Sequence, residues 1–529
     1  MSGCCPTEHR VAVVGAGIGG LVAALLLAAR GLRVTVLEAA DGPGGKMRPV
    51  RLEDGTEVDA GPTVFTMRWV FDELLDEVGS STEAALPMLS PLQVLARHAW
   101  RRDGTRLDLL ADRVASAEAI AAFSTPAEGR RYLAFCDEAA RVYGRLEGPH
   151  IRSARPSFLQ MVSDLGPGGL ATLAGLGPFA PLARALARRF TDERLRQLFG
   201  RYATYCGASP ALAPATLMLV AHVEQAGVWA VKGGMAALAR ALEALARQRG
   251  VQLRYGARVQ SLSLQGERVR TVQLAGGEAL AVDSVVFNGD ASALAGLLEP
   301  ALRRAAPVPL PARARSLSAV TWAMQARTAG FELAHHNVFF DEDYASEFED
   351  IFAHRRLPRR GTVYLCAQDR LDGQPAPTGP ERLLALVNAP ADGDARAFND
   401  PETEACENRC WSLLRDCGLE LRPPAPGAIV RRTPADFHRL FPATGGALYG
   451  PATHGWMALF RRPAAATPIA GLYLAGGSVH PGPGVPMAAM SGRLAAATLM
   501  DRLDSTRRSS RVLISGGTSM PSATTAATR

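Results

Sequence analysis

The chain reads as an α/β protein of two units: a doubly wound domain assembled from discontinuous segments, and an α+β domain threaded between them. Three observations carry this. Residues 11–48 run strand, glycine turn, helix, strand. A second strand-to-glycine junction, Leu472–Gly477, comes near the other end of the chain. Roughly residues 100–220 between them carry a helical Ala/Leu/Arg periodicity.

The first unit is the most specific. Val11–Val14 is a short apolar strand. Gly15, Gly17 and Gly20 then fit G-x-G-x-x-G, with Ala16 and Gly19 between them. Leu21–Arg30 continues as a helix, and Leu32–Leu37 is the next strand, ending on Glu38. Gly15 permits the tight turn, Gly17 lets backbone approach a pyrophosphate, and Gly20 lets helix pack on strand. The helix N-terminus presents free N–H groups and a positive dipole end to phosphate. Glu38 stands where a carboxylate accepts the ribose hydroxyls and disfavours a 2′-phosphate. The reading is a dinucleotide site; the bland alternative is a tight βα turn without ligand. Gly44-Gly45-Lys46-Met47-Arg48 follows the second strand. A Gly-Gly-Lys/Arg there resembles the two-glycine-motif flavoproteins, the broad family of amine oxidases and carotenoid desaturases. The resemblance moves the expected cofactor from NAD to FAD and the fold to a Rossmann-type FAD-binding domain.

Composition bounds the rest. The 529 residues suffice for two domains with sizeable cores, and 47% hydrophobic content excludes a disordered chain. The formal net charge of +7 comes from arginine, since Lys46 and Lys232 are the only lysines and both lie in glycine motifs. With no nucleic-acid module, that balance points to an anionic membrane surface first, a solvated surface second and nucleic acid last. Eight cysteines are scattered, which suggests reduced thiols in the cytoplasm. Cys406 and Cys410 share a helix face with no histidine near, so core packing is preferred over a metal site, and no metal is expected. Val11–Ala29 lacks charge, but its four glycines and strand–turn–helix order argue against a signal or membrane span.

Further along, Val50–Asp59 reads as a hairpin around Asp54-Gly55. Asp59–Thr63 opens toward Phe65, Met67 and Trp69. Gly227–Met235 breaks the helical stretch and leads into the helix Ala236–Arg249. Val251–Tyr255, Val259–Leu264, Val269–Leu274 and Ala281–Phe287 read as strands. Residues 300–440 mix proline-rich loops with strands such as Ala319–Ala326 and Leu383–Val387. Pro486–Leu503 is a helix, and the Ser/Thr/Arg-rich tail from Ser505 reads as disordered. The expected division is a flexible 1–10; a cofactor domain from 11–98, 225–298 and 440–504; a substrate domain from 99–224 and 299–439; and a disordered 505–529.

Leu472–Met487, LYLAGGSVHPGPGVPM, is a second strand, glycine turn and helix start. Its backbone N–H groups and helix dipole suit the anionic edge of a reduced flavin. With it, the chain resembles the bacterial phytoene-desaturase type of carotenoid desaturase. The likeness runs from residue 11 to about 503 through VVGAGIGGL, GGKM, DAGPTVFTM, GVW followed by GGM, YGARV and LYLAGGSVHPGPGVPM. Within that family it leans toward the 1-hydroxycarotenoid 3,4-desaturases, on WVFDELL after Asp59–Arg68, His222–Gln225 before GVW, and Asn337–Phe352. The resemblance implies FAD, its ADP half held by Gly15, Gly17, Gly20, Glu38, Gly45, Lys46 and Arg48. Val259 would contact adenine through its backbone. Gly476, Gly477 and the turn Val485-Pro486-Met487 would reach pyrophosphate and flavin.

A desaturase of this type takes hydride from a C–H beside a polyene to flavin N5, and a proton then leaves the neighbouring carbon. The polyene carries the cation, so the protein's main work is to align one bond. For a 3,4-desaturase that bond lies near a C1 hydroxyl or methoxyl, which a buried polar group could read. Catalytic residues are not assigned; His222, Glu224, Tyr205, His454 and His480 are candidates for a base or for that reading, each against a plain structural role. The i, i+2 spacing of His222 and Glu224 keeps them from forming a dyad on a helix. Phe65, Met67, Trp229 and Trp456 are candidate tunnel walls, against ordinary core. One nucleotide fingerprint and no second one for NAD(P)H leave oxygen or a quinone as electron acceptor.

An acyclic carotenoid lives in the bilayer, so peripheral attachment to the cytoplasmic face of the inner membrane is expected. Leu170–Phe190, apolar with Arg184, Arg188 and Arg189 at its end, suits an interfacial helix as well as an ordinary one. The basic run His354–Arg360 follows the acidic Asp341–Asp350 and reads as a self-compensating surface. The rivals are a phytoene or neurosporene desaturase, a flavin amine oxidase, and a prenyl-lipid carrier of the same fold without flavin.

Overall fold

The structure, a computed structural model, describes residues 8–154, 180–423 and 427–515. The doubly wound unit is a five-stranded parallel sheet. Its elements are β1 (Arg10–Val14), α1 (Ile18–Ala29), β2 (Arg33–Leu37), α2 (Met235–Gln248), β3 (Gln252–Arg254), β4 (Ser284–Phe287), β5 (Leu472–Leu474) and α3 (Val485–Ser515). The strand order is β3-β2-β1-β4-β5, with Val11 paired to both Val34 and Ser284. Period-2 alternation sorts the side chains. Val11, Val13, Val34, Val36 and Tyr473 face the helices α1, α2 and α3. Ala12, Val285, Phe287 and Leu472 face an antiparallel meander, Val259–Gln265, Arg268–Leu274 and Ala279–Ala281. Helices α1 and α3 touch backbone to backbone: a Cβ on Gly492 would lie 2.1 Å from Gly19 O.

The second domain is built on a larger, mostly antiparallel sheet. Ser318–Ala329, Glu381–Ala389, Val363–Ala367, His336–Phe340, Val94–Trp100 and Arg106–Leu110 lie in that order, with Glu420–Arg422 and Ile429–Arg432 pairing along the first. One face packs on the helix Asp400–Asp416, where Cys406 and Cys410 are core. The other carries helices Pro126–Leu146, Glu193–Gly200 and Leu219–Gln225 and adjoins the cofactor unit.

The sequence expectations hold for most elements, including the hairpin Pro49–Arg51/Glu57–Asp59. Four need correction. Residue 98 is not a domain boundary: Val94–Trp100 pairs in register with His336–Phe340, so the first cofactor segment ends before it. The lead is shorter than ten residues, because β1 begins at Arg10 and His9 reaches Ser284. The tail is helical as far as Ser515, with Ser505 and Thr506 bonding back to the Asp501 and Arg502 carbonyls; residues 516–529 lie outside the described residues. The 100–220 stretch also contains the strand Arg106–Leu110.

Residues 170–179 of the expected interfacial segment Leu170–Phe190 lie outside the described residues. In its described end, Leu182 and Leu186 are buried in the domain core and Arg189 is paired with Glu138. The basic run after Asp341–Asp350 is paired as expected: Asp350 takes Arg356 and Arg359, and Glu342 takes Arg360. Among the described residues, no helix is long and apolar enough to cross a membrane.

Candidate active site

The carboxyl ends of β1, β2, β4 and β5 open on a cavity of about 800 Å³. Gly15, Gly17, Gly19, Glu38, Gly45, Lys46, Arg48, Val259, Gly476, Gly477 and Val485 line it, and Tyr449 closes part of its far wall. Both glycine motifs therefore meet at one place, although they lie at opposite ends of the chain. Gly15 has φ +102, a conformation that favours glycine. A Cβ on Gly20 would lie 2.1 Å from Gly15 O, so α1 can pack on the turn only without one. The carboxylate of buried Glu38 accepts from Ala16 N–H at 2.7 Å and Ala40 N–H at 2.9 Å. It thus braces the glycine turn from the end of β2. Each oxygen keeps a second lone pair for a ribose hydroxyl.

Several residues that sequence reasoning missed complete the cradle. Asn288, one residue past β4, sits between the two glycine motifs. Its Nδ2 donates to Gly15 O at 3.3 Å, and its side chain would obstruct a Cβ on Gly17, Gly19 or Gly476. Arg462 is buried beneath the second motif and donates to the carbonyls of Tyr449, Gly477 and Pro451 at 3.1, 3.2 and 3.1 Å. Burial pushes its pKa down to about 10. Lys46 donates to Leu448 O at 2.5 Å, and burial also lowers its pKa, with Asp290 opposing and Arg462 adding to the fall. Among the described residues, neither cation has a carboxylate within ion-pair distance.

These residues fit FAD. The cavity is large, floored by backbone that a Cβ would crowd, opened at helix N-termini, and flanked by half-buried Lys46 and buried Arg462, which make no direct ion pair among the described residues and share Asp290 as an attracting neighbour. That combination asks for a bound polyanion.

The predicted residues sort as follows. Gly20 and Ala16 support the turn from behind, and Pro486 and Met487 lie in the first turn of α3 beside the cavity-lining Val485. Arg48 donates to Gly45 O at 2.7 Å. His480 Nε2 donates to the carbonyls of His150 and Ser153 at 2.8 and 3.0 Å, tying the second glycine loop to the helical layer. Burial drops its pKa to about 4, and that of His150 to about 3. His454 Nε2 accepts from Ser209 N–H at 3.1 Å, with its pKa lowered to about 4 by burial. These two histidines are thus neutral structural partners. His222 packs on Tyr143 at 4.8 Å and borders a separate pocket of about 270 Å³. It makes no dyad with Glu224. Glu224 instead takes Tyr205 Oη at 2.5 Å on one oxygen and Tyr202 Oη at 2.8 Å on the other. Phe65 and Met67 are core, Trp229 packs edge-on to Phe65 at 6.2 Å, and Trp456 is 39% exposed. None of these four lines the large cavity.

His335, His336 and Cys366 are the group of described residues spaced closely enough for a metal ion. The Nδ1 bonds of His335 to Arg370 O at 2.9 Å and of His336 to Tyr364 Oη at 2.7 Å leave both Nε2 atoms toward the cysteine, but burial pushes the Cys366 thiol up, away from the thiolate that a metal needs.

A doubly wound unit with one dinucleotide cradle, joined to a second α+β domain, defines an FAD-dependent oxidoreductase. The comparisons place it more closely. Residues 18–500 match the family model for flavin-containing amine oxidoreductases, and the chain belongs to that family. It is 62% identical over 519 residues to a hydroxyneurosporene desaturase of Rubrivivax gelatinosus, covering 98% of both chains. It is 46% identical to that of Cereibacter sphaeroides, covering 94% of this chain and 99% of the relative. A zeta-carotene-forming phytoene desaturase of Myxococcus xanthus is 33% identical, covering 93% and 94%. A putrescine oxidase structure superposes with TM-score 0.57 at 17% identity, covering 93% of this chain and 99% of that one, which shows the shared fold.

Proposed function

We propose that this protein is a carotenoid desaturase that introduces the C3–C4 double bond into acyclic 1-hydroxy or 1-methoxy carotenoids. The observation that carries the reading is the 62% identity to a hydroxyneurosporene desaturase across 98% of both chains. Bound FAD supplies a centre that accepts a hydride. This chain's residues do the rest. Gly15, Gly17, Glu38, Lys46, Asn288 and Arg462 hold and orient the cofactor. The substrate domain lays one C–C bond against it and keeps water away. Hydride leaves one carbon, the polyene spreads the resulting charge, and a proton leaves the adjacent carbon to complete the double bond. Because the substrate stabilises its own cation, alignment matters more than a strong base. With FAD bound, the electron pair taken from the substrate would go on to oxygen or a quinone. The protein works as a peripheral enzyme at the cytoplasmic face of the inner membrane, with the lipid surface as partner.

The test is incubation of the FAD-loaded protein in liposomes with a 1-hydroxy acyclic carotenoid and, separately, with phytoene. Products are read by chromatography and absorption. A bathochromic shift with the hydroxylated substrate alone is expected. Conversion of phytoene instead would move the enzyme to an earlier step and overturn the 3,4 assignment.

A further inference from the structure

We propose that a buried polar group around Arg201, made by Tyr205, Glu224, His336, Tyr344 and Tyr364, receives the oxygen on C1 of the substrate and sets the preference for oxygenated over hydrocarbon carotenoids. The inference rests on the hydroxycarotenoid reading above and names the residues that would enforce it.

The group lies on the cofactor side of the large sheet. His98, Val338, Tyr364, Leu386, Thr321 and Arg432 are cross-strand neighbours in one continuous row. Directly opposed residues on neighbouring strands project to the same face. The last three of the row line the cofactor cavity. Tyr364 is the next residue inward, and His336, two positions before Val338, is on the same face. The loop Ala60-Gly61-Pro62 also lines the cavity, and Thr63, which follows it, bonds Tyr364 Oη at 2.6 Å. The route from cofactor to polar group is thus one residue long on both the sheet and the loop. That suits a reaction at C3–C4, because C1 is only two bonds from C3.

Three polar atoms in this layer are buried with no hydrogen-bond partner: Arg201 Nε, His336 Nε2 and Tyr344 Oη. His336 is only 3% exposed, and its other nitrogen is used by Tyr364. Buried polar atoms are nearly always paired, so three orphans on residues coupled through Arg201 call for a partner, here the substrate oxygen. Burial works against the Arg201 cation, yet the surrounding tyrosine oxygens and Glu224 carry its pKa above the ordinary value. Burial, with His335 and Arg201, holds His336 well below its usual pKa, so its ring is neutral. The group offers a fixed donor in Arg201 Nε–H and donor-or-acceptor atoms in Tyr344 and His336. A hydroxyl satisfies both kinds, and a methoxyl oxygen still accepts from the donors. A hydrocarbon end leaves all three atoms dry, which is the situation in which a site rejects an analogue most strongly.

Tyr344→Phe is the sharpest test, because it deletes a hydroxyl that holds nothing in the fold. His336→Gln and Arg201→Met accompany it. For each FAD-loaded variant, kcat/KM and equilibrium binding are measured for a 1-hydroxy acyclic carotenoid and for the same polyene without its hydroxyl, with thermal stability as a control. We expect Tyr344→Phe to keep its flavin and its melting temperature, to lose about tenfold or more of the hydroxyl preference, and to bind the hydrocarbon as well as before. A preference unchanged in both Tyr344→Phe and His336→Gln overturns the inference while leaving the functional reading intact. A parent protein that itself shows no preference for the hydroxylated substrate overturns the functional reading, and the inference with it.

Discussion

Lys46 is held in this structure for something other than the fold, and that can be measured. Lys46 is half-buried in the cavity wall, its ammonium hydrogen-bonded to one carbonyl, Leu448 O, and set 5.4 Å above the Phe441 ring. Its charged neighbours are Asp290, which attracts it, and Arg462, which repels it. A desolvated charge without a direct ion-pair partner is a burden on the apo protein, because taking one ion out of water costs on the order of several kcal/mol. Lys46→Met forfeits one hydrogen bond, worth about 1 kcal/mol. The apo variant should therefore be roughly 1 kcal/mol or more stabler than the parent by these terms. The same change removes a charge-assisted contact to an anionic cofactor, worth about 1.5–3 kcal/mol. The FAD dissociation constant should rise by about 10- to 100-fold. The assay pairs denaturant unfolding of the apo proteins with FAD titration followed by flavin fluorescence. The two effects must have opposite signs. An apo variant that is clearly destabilised, or one that binds FAD as tightly as the parent, would refute the argument.

Gly20→Ala places a methyl 2.1 Å from Gly15 O and forces α1 off the turn; we expect a loss of about 3 kcal/mol and a preparation that no longer retains flavin. Gly144→Ala, with nothing within 4 Å, should instead gain about 0.5–1 kcal/mol and keep its flavin. Asp59 caps the start of α2, accepting from Met235 N–H, so Asp59→Ala should cost about 1–2 kcal/mol in chemical denaturation. Stability should also depend on acid. His150, His454 and His480 have folded pKa values lowered to about 3, 4 and 4, while the unfolded chain protonates near 6.5. Between those values the unfolded state binds more protons, so the stability these groups confer is complete above about pH 6.5 and is lost as pH falls toward 4. The loss is on the order of 2–3 kcal/mol per group, and His480→Gln should flatten part of the slope of unfolding free energy against pH.

The cofactor half of this molecule was legible because its signal is local. The turn, the helix start and Glu38 are spaced by backbone geometry within one βαβ unit, and that geometry leaves a pattern in consecutive residues. Glu38 shows the limit: its spacing marks the ribose position, but its bond to Ala16 depends on where the end of β2 and the glycine turn converge. Asn288 and Arg462 carried no such signal. Asn288 acquires its place from a contact 273 residues away, Arg462 from loop carbonyls 11 to 15 residues away that only the folded loop brings round it, and an isolated asparagine or arginine looks like surface. The histidines failed differently. His480 and His454 looked chemical because they flank glycine loops, yet each spends its ring on backbone groups. Register decided the rest: Val94–Trp100 reads as the end of the first segment until its pairing with His336–Phe340 moves it to the other domain.

The relation between the two domains explains how one fold can host amine and polyene chemistry. The putrescine oxidase likeness at 17% identity covers nearly the whole of both chains, so the layout of both domains is shared. What is free to vary is the face of the large sheet that looks toward the cofactor. In this protein that face changes character along a single row. Leu386 and Thr321 meet the cavity, and one strand further in the surface turns polar through Tyr364 and His336. The helical layer answers with Arg201, Tyr205 and Glu224. An apolar polyene gains nothing from burying such groups along its length, since each would cost desolvation without a partner. They are tolerable only where a substrate carries its own polar atom. If the group receives the C1 oxygen as proposed, its distance from the cavity sets which end of the polyene enters first.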